Sequence, residues 1–216
     1  MAGTFPIGRG VRVEVEATTS AAKTVTAVTQ ASVGVATSTT HGLAEGAIAY
    51  FGTVAGMVQL EGQAISVDAP AASTINLEGI NTTAFPAFTG SAQLTPIATW
   101  STIGNSTSYQ IGGGEAQDAN QTTLIDDIEQ ITPGILSAQT VTISGFSAAQ
   151  SAAMLRVTQA AIDQTPLVFR LTLKDGQRRV FRGIPALPNE DASVGQSLTG
   201  QFSVRVIGRV LFLAAA

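Results

Sequence analysis

The chain has 216 residues, of which 11 are Lys or Arg, 15 are Asp or Glu, one is His and none is Cys. The lack of cysteine excludes a disulfide scaffold, a thiolate zinc site, an iron–sulfur cluster and a Cys nucleophile, and a single His argues against a His-rich metal centre. A net charge of −4 argues against a basic nucleic-acid-binding surface, and a charged fraction of 12% beside 44% apolar residues predicts a surface covered by copies of the same chain.

The opening MAGTFPIGRG lacks the basic and apolar blocks of a signal peptide, and the closing Val210–Ala216 (VLFLAAA) is too short to span a bilayer. The first predicted strand is Val11–Glu16, with Val11, Val13 and Val15 on one face and Arg12, Glu14 and Glu16 on a polar one. An Ala/Thr/Val-rich run follows, strand-like at Lys23–Thr29. Short strands are expected at Ala47–Gly52, Met57–Leu60, Gln63–Val67 and Ser73–Leu77, with turn residues at the spacing of a small sandwich or barrel. Ile97–Ile103 and Tyr109–Ile111 are strand-like, and Gly112-Gly113-Gly114 ends the latter. Residues 114–134 read as polar, acidic and irregular, closed by Pro133-Gly134.

Gln139–Ser144 alternates again. One helix is predicted, from a capping box at Ser147 and Gln150 to about Asp163, with Met154, Leu155, Thr158 and Ile162 on its apolar face. A hairpin follows: Leu167–Leu173 and Arg178–Ile184 flank Lys174–Gln177, whose Asp175-Gly176 pair suits a type I′ turn. The last strand, Leu198–Leu213, places Phe202, Val204 and Val206 opposite Ser203 and Arg205. The fold class is therefore mainly β, with one α-helix packed on a sheet.

Charge is unevenly distributed. No basic residue lies between Lys23 and Arg156, a stretch with nine acids from Glu45 to Glu129, while eight basic residues and four acids follow from Arg156 onward. This predicts an acidic and a basic surface on one subunit, able to meet head to tail.

Catalytic patterns are weak. Gly195–Gly200 (GQSLTG) is one residue too long for a nucleophile elbow, and Gly8-Arg9-Gly10 and the triple glycine lack the strand-then-helix context of a dinucleotide loop. His41 reads as a turn residue. Asp126, Asp127 and Glu129 match no calcium loop and read as a solvated or intersubunit cluster. Arg178, Arg179 and Arg182 are expected to meet protein carboxylates rather than phosphate. No enzyme activity, cofactor or metal is expected.

Several segments taken together resemble the major tail tube protein of long-tailed, siphophage-type bacteriophages. They are VRVEVEA, STIGNSTSYQIGGGEAQDANQTTLIDDIEQITPGI, QTVTISGF, LTLKDGQRRVFRGI and SLTGQFSVRVIGR, in that order. Residues 23–94 resemble a small β-domain that recurs in phage tail proteins, matched at Thr37, His41, Gly42, Leu43, Gly56 and Met57. The resemblance implies a discontinuous tail tube domain (1–22 and 95–216), a tail-tube-type β-sandwich or barrel. An inserted all-β module at 23–94 would sit on the outer surface.

It further implies a structural virion protein of the viral tail, made in the host cytoplasm. Its copies would form stacked hexameric rings, with a tape-measure protein, tail tip or baseplate proteins and a tail terminator as partners, genomic DNA passing only through the lumen, and no membrane contact. In that frame Glu14 and Glu16 are candidate lumen-facing residues. Asp126, Asp127, Glu129, Arg178, Arg179 and Arg182 are candidate ring-to-ring or intersubunit contacts. A tail terminator, a decoration protein or a β-sandwich glycan-binding module are the alternatives.

Overall fold

The structure is a computed structural model that describes residues 10–120, 128, 131–147 and 149–215. It is mainly β, as expected. The chain begins with β1 (Arg12–Thr19), β2 (Lys23–Val25), β3 (Ala27–Val28), β4 (Val35–Thr37), β5 (Ile48–Phe51), β6 (Ala64–Asp68) and β7 (Thr74–Leu77). It continues with β8 (Ala92–Thr102), β9 (Ser106–Gly112), β10 (Ala116–Asn120), β11 (Ile131–Leu136), β12 (Thr140–Phe146) and α1 (Ala152–Ile162). It ends with β13 (Leu167–Thr172), β14 (Arg178–Pro185), β15 (Asn189–Asp191) and β16 (Thr199–Leu213).

The strands join in the order β3-β4-β7-β6-β5-β8-β1-β13-β14-β16-β12-β9, with β2 on β8 and β15 on β16. β10 and β11 pair only with each other. Two cores result. Val13, Val15, Phe169, Phe181, Phe202 and Val204 form one with α1; its aromatic centre is Phe169 against Phe181, ring centroids 5.4 Å apart. The other gathers Phe51, Met57, Leu60, Ile65, Ile75 and Leu94 from the 23–94 region, and adds Val168, Val180, Leu211 and Leu213 from β13, β14 and β16. The central sheet is thus buried on both faces: alternate residues of β13, Val168 and Phe169, enter different cores.

β8 runs through both regions. Lys23–Val25 and Ala49–Phe51 pair with its first half, and β1 pairs with Ile97–Thr102. The expected boundary between 94 and 95 therefore falls inside one continuous strand.

Four local expectations are revised. Met57–Leu60 is not a strand but leads into a 3-10 turn at Val58–Leu60, where Glu61 N–H returns to the Val58 carbonyl. Residues 114–134, read as irregular, contribute to the β10–β11 pair. The hairpin loop is not type I′. Leu173 N–H bonds to Gln177 O and Gly176 N–H to Leu173 O, and only Gly176 takes a positive φ (+85°). This is the three-residue loop in which a glycine in the left-handed region closes the turn.

The helix starts four residues later than expected. Ser151 caps it by accepting from Met154 N–H at 3.3 Å, while the Ser147 hydroxyl is bonded to Glu190. Its buried face is also different: Ala153, Val157, Ala160 and Ala161 are covered, whereas Leu155 and Ile162 are exposed. A helix lying close on a sheet needs small residues at the contact, so the alanines mark its inner face.

Candidate assembly surfaces

The polar face predicted for β1 is covered at both glutamates, while Arg12 is exposed. Glu14 and Glu16 are 4% and 5% exposed. The Glu14 carboxylate lies 2.6 Å from Arg170 Nη2 and 3.4 Å from Arg12 Nε. Arg170 in turn stacks over Trp100, its guanidinium carbon 4.3 Å from the ring centroid. Glu16 accepts from Arg156 Nη2 and from the Val168 N–H, both at 3.2 Å, which ties β1 to α1 and β13. Burial pushes the Glu16 carboxyl above the ordinary carboxylate range, and the Val168 N–H and the Arg156 charge pull the other way. These carboxylates are buried and paired inside the subunit. An exposed polar face was the natural reading of the alternation, because the arginines that cover it lie far away in sequence.

The arginine cluster divides. Arg178 is buried, reaching Gly46 O at 3.2 Å and the Glu78 carboxylate at 3.4 Å. Arg182 stacks on Tyr50, 4.1 Å from the ring centroid, and lies 3.4 Å from Gly62 O. Burial lowers the Arg182 pKa, opposed by the Tyr50 and Glu16 charges. Arg209 donates to Gly79 O at 3.1 Å, and the Gln63 amide bonds Arg209 N–H and C=O at 3.0 and 3.1 Å. The basic C-terminal third therefore grips the 23–94 region of its own chain. Sequence reasoning missed Arg209 and Gln63, for which no local pattern exists.

Arg179 remains partly exposed, over the ring of Phe212 at 4.8 Å. Asp126, Asp127 and Glu129 lie outside the described residues. His41 is buried: its Nε2 is 2.6 Å from Ala71 O and its Nδ1 accepts from Leu43 N–H at 3.0 Å. The imidazole is a turn lock, as the sequence suggested.

The β8-β1-β13-β14-β16-β12-β9 part of the sheet has an open margin at each side among the described residues. β9 pairs with β12 alone. Residues 97–102 of β8 pair with β1 on one side and have no strand on the other. These margins are adjacent in sequence, separated by residues 103–105, yet lie at opposite sides of the β8-β1-β13-β14-β16-β12-β9 sheet. The sheet curls so that its first and last strands share a turn but do not pair.

At the start of β16, between α1, β12 and β15, lies an apolar cavity of about 420 Å³. Ile143, Phe146, Met154, Leu187 and Phe202 line it, and Glu190 stands at its rim.

The profile of the phage tail tube protein family matches residues 55–215, most of the chain. A solved structure described as the tail of an empty GTA particle, computed with helical refinement and C6 symmetry, is similar at 13% identity and a TM-score of 0.44, over 54% of this chain and 88% of that one. No curated protein matches. The fold is a β-rich subunit whose sheet has open margins among the described residues. The chain belongs to the phage tail tube protein family, and it is a structural component of the virion tail.

Proposed function

We propose that the subunit closes into six-membered rings by pairing β9 of one copy with residues 97–102 of β8 in the next. The observation that carries this reading is the pair of unpaired margins at opposite sides of one curled sheet. A free strand edge is a template for another chain, and closure across copies removes both of these edges. Stacked rings then make the tail tube. The tube would house a tape-measure protein during assembly, meet tip and terminator proteins at its ends, and later pass genomic DNA.

A conduit for DNA gains from few cationic contacts, since each phosphate neutralised adds affinity. The arginine arrangement supports this: Arg156, Arg170, Arg178 and Arg182 are all engaged within the chain. The inserted 23–94 region lies on the face of the sheet opposite α1, and we place it on the outside of the tube. Glu14 and Glu16 hold β1 to its neighbours in this reading and do not line the channel.

The test is hydrogen exchange across a concentration series, with negative-stain microscopy of the same samples. Amides of 97–102 and 106–112 are expected to gain protection as six-fold rings appear. Rings that form while both segments keep exchanging freely would overturn the edge assignment. A ring that never stacks would point instead to a terminator.

A further inference from the structure

We infer that the two ends of β16 form the plug and socket by which one ring seats on the next. The inference rests on the ring reading above. Lateral sheet margins join copies around a ring, so contacts along the tube must come from the ends of the strands.

The plug lies at the end of β16. Val210, Leu211 and Leu213 are buried, whereas Phe212 between them is 61% exposed. Its ring is held by the Arg179 guanidinium, which is itself fixed by Gln177 Oε1 at 2.8 Å and the Arg178 carbonyl at 3.1 Å. Lys174 is exposed on the adjoining hairpin, and the one neighbouring acid, Asp175, accepts from Gln177 N–H. The result is a preorganised aromatic and cationic knob, the side-chain types that dominate protein contacts.

The socket lies at the start of the same strand, at most roughly 45 Å away along extended chain. It is the 420 Å³ cavity, with Leu187 61% and Phe146 51% exposed at its mouth. β15 pairs with residues 199–201 and brings Glu190 to the rim, with Asp191 next to it in the strand, both exposed. The cavity end is thus apolar and acidic, and the opposite end is aromatic and basic. One molecule cannot bring the two ends of a single strand together. A second copy can, and because the two surfaces differ the contact is heterologous and repeats without closing. The occupant of the socket is Phe212, with Arg179, of a copy in the adjacent ring.

The test uses full-length chain with Phe212→Glu, Glu190→Arg, or Arg179→Glu combined with Glu190→Arg. Native mass measurement counts rings, microscopy measures tube length, and thermal melting checks the fold, which these exposed positions should leave intact. The expected result is that F212E and E190R keep rings but lose tubes, and that the double charge swap restores tubes. Wild-type tube length in F212E overturns the socket, and unstacked rings in the double swap overturn the charge pairing. Absence of rings in the wild type overturns the ring reading and this inference with it.

Discussion

Arg182 on β14 holds its guanidinium carbon 4.1 Å from the ring centroid of Tyr50 on β5, joining the central sheet to the 23–94 region. A desolvated cation–π pair of this kind contributes about 1–2 kcal/mol. Arg182→Ala is expected to speed hydrogen exchange in β5 and β6 while β12 and β13 stay protected. Arg182→Lys should lie between, since an ammonium cannot reproduce the planar stacking. Equal loosening of both cores would count against this account.

Glu16 makes stability depend on pH with a definite sign. Its folded pKa lies above the ordinary 4.5, so the folded state holds the proton more tightly. Stability is then highest below the unfolded value and falls as pH rises through the raised folded value. Denaturant midpoints measured from pH 4 upward, relative to Glu16→Gln, are expected to show that decline in the wild type and a flatter profile in the variant. The amide keeps the size of the side chain but removes the buried charge.

Gly56 takes a positive φ of +79°, and a Cβ there would stand 2.2 Å from the Ala87 carbonyl and 2.9 Å from the Thr89 N–H. Both neighbours are backbone and cannot swing aside. Gly56→Ala is expected to cost about 2 kcal/mol or more through strain and displacement of the 87–89 segment. A thermal melt close to wild type would refute the close approach.

The helix offers a paired prediction. Val157 is fully buried and Leu155 half exposed. Val157→Ala should cost about 2 kcal/mol, and Leu155→Ala less than about 0.5 kcal/mol. Chemical unfolding of the two variants distinguishes the structural inner face from the one that side-chain size alone suggests.

That contrast explains what could be read from the residues. Alternation located β1, β12, β13, β14 and β16, because each strand has at least one face of large apolar side chains. It failed for the charged face of β1, since the partners that cover Glu14 and Glu16 lie 156 and 140 residues away. The capping box at Ser147 was plausible locally, but Glu190 claims that hydroxyl. The charge asymmetry was real, yet much of it is satisfied within the chain. Only contacts between distant elements could reveal this, and those same contacts leave Arg179 facing outward.

β16 pairs with β12, β14 and β15, so it alone joins the β9–β12 margin to the rest of the sheet. Among the described strands it is also the last in chain order. Until it is laid down, the two margins that would recruit neighbours do not belong to one sheet. The two-margined sheet is therefore complete only once every other described strand has been synthesised.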